Sequence, residues 1–149
     1  MLAVCTGNVC RSPVMERLLA QRSRAAGLDL AVASTGTRAL VGQDMEPGSR
    51  EILTRHDADA DGFVSTSIRA VDLESYDLIL TASEAHRLRV VERDPVLLAR
   101  TRTLLGFLDP VEDEIVDPYR KSPETYRAME RQIVPAIEAV VAYLLRQRL

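Results

Sequence analysis

The stretch Val4-Cys5-Thr6-Gly7-Asn8-Val9-Cys10-Arg11-Ser12-Pro13 constrains this chain more than any other. Apolar residues precede it and a helical pattern follows, so it predicts a strand, a tight loop and a helix N-terminus. A helix start offers unpaired backbone N–H groups and the positive end of the dipole, which suits an anion. Gly7 admits a positive φ and Asn8 tolerates one, so the loop is able to turn its amides inward as a nest. A cysteine aimed into that nest is expected to be held as its thiolate. Arg11 adds a rigid fork of donors that matches two phosphate oxygens at once. Two blander roles compete for Cys5 and Cys10. Both are able to serve as buried structural thiols. They are poor candidates for a metal site, because two cysteines and two distant histidines do not make a four-ligand set.

The 149 residues fit a single domain spanning residues 1–149 with room for a genuine core. A net charge of −3 gives no whole-chain pull towards nucleic acid. No run is long enough to span a membrane, and the short apolar opening does not form a signal peptide. Two cysteines without an export signal suggest a reducing cytoplasm. Aromatics are only 4%, so aliphatic side chains must fill the core.

Strand and helix patterns alternate along the chain. Leu2 to Cys5 reads as a buried central strand. Pro13 suits a first helical turn, Val14, Leu18, Leu19 and Ala25 keep helical spacing, and Gly27 ends that helix. Leu30 to Ser34 predicts a second strand and Glu51 to Arg55 a short helix. His56 to Gly62 is a solvated acidic turn, and Val71 to Tyr76 holds a helical turn. Asp77 to Thr81 has the continuous apolar run of a strand buried on both faces. Ser83 caps a helix through Arg93. On that helix His86 reads as a surface residue among arginines. Thr101 to Leu105 predicts the fourth strand. Ser122 to Leu149 predicts an amphipathic helix, with Tyr126, Met129, Ile133, Ile137, Val140 and Leu144 on its core face and Pro135 inside it. This alternation implies a parallel α/β sheet with right-handed crossovers. Ligands in such folds bind beyond the carboxyl ends of the strands, where Cys5 falls.

Cys5-Thr6-Gly7-Asn8-Val9-Cys10-Arg11-Ser12-Pro13 resembles the signature loop of the low-molecular-weight protein tyrosine phosphatases. Ser34-Thr35-Gly36-Thr37 resembles the family's Ser-Ala-Gly-Thr segment, whose serine supports that loop by hydrogen bonding. Asp117-Pro118-Tyr119 resembles its Asp-Pro-aromatic element shortly before the last helix. The chain departs from the pattern in three ways. Only Met1 to Val4 precede Cys5, Thr81-Ala82 stands where a Met-Asp pair is common, and Arg120 replaces a second aromatic residue. The resemblance implies a three-layer α/β domain whose four-stranded parallel sheet runs in the order 2-1-3-4. It also implies that residues 38–48, with Leu40, Val41, Asp44 and Met45, wall the substrate cleft.

The implied activity is hydrolysis of phosphotyrosine in proteins, without cofactor or metal. Cys5 attacks phosphorus and forms a cysteinyl-phosphate. The amides of Thr6, Gly7, Asn8, Val9, Cys10 and Arg11, with the Arg11 fork, hold the oxygens of the phosphoryl group. Ser12 stabilises the thiolate, and Asn8 braces the loop. The departing phenolate needs a proton. Asp109-Pro110 and Asp117-Pro118 both offer an aspartate. The resemblance selects Asp117, with Tyr119 lining the cleft, and leaves Asp109 as a turn or helix initiator. Cys10 either fills space or traps oxidised Cys5 as a reversible disulfide, making the enzyme redox-regulated. Bacterial members often act on tyrosine kinases of polysaccharide export, so such a kinase is the implied partner. Two alternatives stand beside this: a protein arginine phosphatase of the same family, and a non-catalytic phosphate-binding or redox-sensing module. Arginine phosphatases tend to carry threonine at the Val9 position. Arsenate reductases share the loop but use further downstream cysteines, and none follows Cys10 here.

Overall fold

The computed structural model describes residues 1–112 and 114–148. Four short strands, β1 (Leu2–Cys5), β2 (Ala33–Gly36), β3 (Ile79–Thr81) and β4 (Thr101–Thr103), form one parallel sheet in the order β2-β1-β3-β4. The expected strand order is the one observed. β1 is central, with Leu2 opposite Ala33 on one side and Ile79 on the other. Four helices are present among the described residues: α1 (Arg11–Ala25), α2 (Pro47–Arg55), α3 (Glu84–Arg93) and α4 (Pro123–Gln147).

The alternation of side chains along β1 sorts the core into two faces. Ala3 and Cys5, with Leu80 of β3, join a cluster built from Val14, Leu18 and Leu19 of α1, Ile52 and Leu53 of α2, and Met129, Ile133, Ile137 and Val140 of α4. Leu2 and Val4, with Ile79, face Ile68, Leu73, Val90 and Leu97 on the other side. The larger apolar layer therefore lies against α1, α2 and α4, and α3 with its flanking 3₁₀ turns covers the opposite face. Three layers result, as expected.

Several boundaries move. The second strand starts at Ala33 rather than Leu30 and reaches Gly36. Pairing with β1 decides its extent, because its register against Leu2 to Cys5 fixes which residues find a partner. β4 stops at Thr103, where the Thr103 side chain caps a 3₁₀ turn over Leu104–Phe107. The last helix runs unbroken through Pro135 to Gln147; the expected end at Leu149 lies outside the described residues. Its stripe is core at Met129, Ile133, Ile137 and Val140, while Tyr126 is only partly buried and reaches a cysteine thiol. Among the described residues no helix is long and apolar enough to cross a membrane.

Candidate active site

The loop between β1 and α1 turns its carbonyls outward. The oxygens of Cys5, Thr6, Gly7 and Val9 accept from the amides of Thr37, Arg38, Leu40 and Glu46 at 2.8–3.0 Å. The Cys10 carbonyl accepts from the Ser49 hydroxyl at 2.9 Å. Because each peptide is planar, a carbonyl pointing out leaves the next N–H pointing in. The result is the expected nest of amides at the start of α1, at the carboxyl end of β1.

The left-handed residue in this loop is Asn8, at φ 58°. Gly7 and Asn8 both read as able to take a positive φ, and of the two it is Asn8 that does. A Cβ at Gly7 would meet Val9 and Leu40 at ordinary contact distances of 3.6–4.0 Å. Asn8 holds the strained backbone because its amide is saturated. Its Nδ2 donates to Ser12 Oγ at 2.7 Å and to Ser34 Oγ at 3.0 Å, and its Oδ1 accepts from the Thr66 amide at 2.8 Å. Ser34 in turn donates to Glu16 Oε1 at 2.9 Å. The Asn8 side chain is fully buried, so the loop hangs on a closed polar network beneath it.

That network also orients Ser12. Asn8 Nδ2 only donates, so Ser12 Oγ accepts there and keeps its own proton. Cys5 Sγ lies 2.9 Å from Ser12 Oγ, nearer than the Thr35 carbonyl at 3.5 Å. The hydroxyl is thus set to donate to the sulfur. Cys5 and Cys10 are both free, buried thiols. Cys10 contacts the Tyr126 hydroxyl at 3.6 Å, and burial pushes its thiol up to about 12.

Arg11 opens α1 and is only 5% exposed. Its Nη1 donates to the Ile115 carbonyl at 3.2 Å, and its Nη2 to Thr6 Oγ1 at 3.5 Å. Asp117 Oδ2 stands 3.6 Å from Nη2, with the Asp117 side chain 48% exposed. Arg11 Nε is buried and has no protein partner among the described residues. A buried guanidinium with a spare donor beside a nest of amides is a seat for a tetrahedral oxyanion.

A cavity of about 140 Å³ opens over this loop. Cys5, Thr6, Gly7, Val9, Cys10 and Arg11 line its floor, and Arg38, Leu40, Asp117 and Tyr119 its walls. Asn8 and Ser12 brace it from below. Asp109 lies in a bend and does not line the cavity; no helix follows it directly. Of the 38–48 wall, Leu40 faces the cavity, but Met45 is buried in the core. Arg38 was not singled out from the sequence. Two residues after Gly36, it follows the strand end opposite Cys5, and that adjacency was the available signal.

His86 is a correction. It is not a surface residue but 7% exposed, with Nε2 at 2.8 Å from Thr6 Oγ1 and Nδ1 at 2.6 Å from Ser83 Oγ. Burial lowers its pKa to about 4, with the Arg11 charge acting in the same direction. The signal was its i, i+4 spacing to buried Val90, which puts both on the inner face of α3. At the Thr81-Ala82 departure, backbone supplies a contact: the Ala82 carbonyl accepts from the Ile115 amide at 2.9 Å. Among the described residues no group of three or more His, Cys, Asp or Glu side chains is placed to hold a metal ion.

Known proteins resemble this chain in sequence and in fold. Wzb of Escherichia coli K12, a low molecular weight protein-tyrosine-phosphatase, is 40% identical over 129 residues, covering 87% of this chain and 84% of Wzb. Vibrio vulnificus Wzb, solved in complex with benzylphosphonate, superposes with a TM-score of 0.85 at 28% identity, covering 95% of this chain and 96% of that one. The YwlE arginine phosphatase from Geobacillus stearothermophilus gives a TM-score of 0.86 at 27% identity, covering 99% and 93%. The model of the low molecular weight phosphotyrosine protein phosphatases matches residues 1–149, and this chain belongs to that family.

Proposed function

We propose that this protein hydrolyses phosphotyrosine in proteins through a cysteinyl-phosphate, with Cys5 as nucleophile, Arg11 as oxyanion clamp and Asp117 as proton donor. The observation that carries the assignment is the Cys5 sulfur, 2.9 Å from Ser12 Oγ on the floor of a cavity that Arg11 and Asp117 also line, 3.6 Å apart. Cys5 Sγ attacks phosphorus in line and the bond to the phenolic oxygen breaks. The inward amides and the Arg11 fork hold the three equatorial oxygens of the loose transition state. Asp117 gives its proton to the leaving oxygen, then accepts one from the water that attacks the cysteinyl-phosphate. Sulfur leaves as thiolate, accepting the Ser12 hydroxyl bond. Tyr119 stacks on the substrate ring, and the Arg120 guanidinium lies 5.4 Å from the centroid of the Tyr119 ring.

The partner on this reading is a phosphorylated protein in the cytoplasm, a bacterial tyrosine kinase by analogy with relatives of the family. Cys10 is the resolving thiol in the same scheme: a Cys5 sulfenic acid condenses with the Cys10 thiol, releasing water and leaving a disulfide. The likeness to the YwlE arginine phosphatase favours phosphoarginine as the second substrate to test. Aryl-phosphate hydrolysis inhibited by vanadate separates an enzyme from a phosphate-binding module. Parallel assays on phosphotyrosine and phosphoarginine peptides then decide the substrate. We expect phosphotyrosine to give the higher kcat/KM; a preference for phosphoarginine overturns the tyrosine assignment.

A further inference from the structure

The segment that carries Asp117 is short and irregular, yet it is held from both sides. Residues 114–116 lie between the sheet and α4, and their backbone polar groups alternate in direction. Ile115 pairs inward: its amide donates to the Ala82 carbonyl just past β3, at 2.9 Å, and its carbonyl accepts from Arg11 Nη1 at 3.2 Å. Glu114 and Val116 pair outward, and both pair with one side chain. Gln132 Nε2 donates to the Glu114 carbonyl at 3.0 Å, and Gln132 Oε1 accepts from the Val116 amide at 2.8 Å. Gln132 projects from α4, next to Ile133, whose side chain is fully buried in the core. Its primary amide thus stands in for the edge of a neighbouring strand.

We propose that Gln132 is a positioning residue for catalysis, holding the backbone immediately before Asp117 so that the carboxyl group faces the Arg11 seat. The proposal rests on Asp117 being the proton donor. Ile115, buried in the core and paired at both its amide and its carbonyl, fixes the segment at one residue. The two Gln132 bonds add attachments on either side of it, one of them at Val116, the residue that joins directly to Asp117. The residue touches neither substrate nor nucleophile: its effect reaches the chemistry only through the placement of Asp117, one residue past Val116.

The readout follows from what an acid does. Proton donation matters most for a basic leaving group and least for a stable phenolate. Gln132→Leu, which removes both bonds at similar size, is therefore assayed by kcat/KM on two substrates, phosphotyrosine and p-nitrophenyl phosphate, with vanadate inhibition as the measure of the oxyanion seat. We expect a loss of about tenfold on phosphotyrosine, less than about twofold on p-nitrophenyl phosphate, and unchanged vanadate inhibition, because small misplacements of a catalytic group carry rate costs of that order. Gln132→Glu keeps the acceptor for the Val116 amide and loses the donor to Glu114, so it should fall between the two. Equal losses on both substrates, or no loss on either, overturn the proposal. Asp117→Asn is run alongside. If that variant also lacks leaving-group dependence, the acid assignment itself has failed; if it shows the dependence and Gln132→Leu does not, only the positioning role has. Should Gln132→Leu fold poorly, Gln132→Glu carries the same comparison.

Discussion

The two loops that meet at the cavity differ in how densely each is held. The loop from Cys5 to Ser12 is braced throughout: Asn8 bonds Ser12 four residues on, α1 begins inside the motif, and donors from residues 37–49 tie down five of its carbonyls. The 108–120 segment, bends and turn included, has no regular secondary structure among its described residues, and borrowed contacts position it, from Ala82, Arg11 and Gln132. On the proposed mechanism the first supplies nucleophile and oxyanion seat as one rigid unit. The second supplies the proton on the same mechanism, and a group on an exposed rim remains able to approach and leave. Stability and rate should accordingly separate: damage to the first loop costs both, and damage to the second costs rate alone.

The largest expected effect breaks the first loop's chemistry. Cys5→Ser should lower turnover by on the order of 10⁴-fold or more, since the serine hydroxyl lacks an adjacent base to activate it; steady-state assay of purified protein checks this, and retained activity refutes the mechanism. Asp117→Asn should lower kcat/KM for phosphotyrosine by about 10²-fold with the melting temperature unchanged, whereas Asp109→Asn should be near neutral. A crippled Asp109→Asn would transfer the acid role to the other loop. Asn8→Ala should do the converse of Asp117→Asn. It removes three hydrogen bonds and puts alanine at φ 58°. A loss of about 2–4 kcal/mol in denaturant unfolding is expected, together with lost activity.

The smallest effect is a pH dependence at the seam between the loop and α3. His86 titrates near pH 4 in the folded protein and near 6.5 when unfolded. The unfolded chain therefore binds a proton more readily between those values. Stability contributed by the neutral ring is complete above about pH 6.5 and is lost as pH falls towards 4. The charged Arg11 adds to the shift and Asp117 opposes it. Replacing His86 by Gln should flatten this part of the stability profile, a change of at most about 2–3 kcal/mol. Thermal melts across pH 4–7 of both proteins test it; parallel profiles would remove His86 from the account.

What was legible early was whatever is coded over short distances. Residues 4–13 carry their own strand end, turn and helix start, so the proposed nucleophile, clamp and nest rest on spacing. The strand order and Asp117 came from likeness to a family, because nothing local distinguishes Asp117-Pro118 from Asp109-Pro110. Which of Gly7 and Asn8 turns left-handed was not legible, since the three partners that stabilise Asn8 are not visible in a sequence. His86 was read as exposed because the arginines around it masked its spacing to Val90.

By itself the amino-acid sequence determined the cysteine-to-arginine loop, the alternation of strands and helices, and the apolar stripe of the final helix, all of which follow from neighbours within a few residues. Only the tertiary structure decided that His86 leans on Thr6, that Gln132 grips the backbone before Asp117, and that Arg11 meets Asp117 across the cavity. Those pairs are separated by 80, 16 and 106 positions or close to it along the chain. Such contacts arise when burial of the two sheet faces closes the chain, and pattern along the chain carries no record of which distant polar groups that closure brings together.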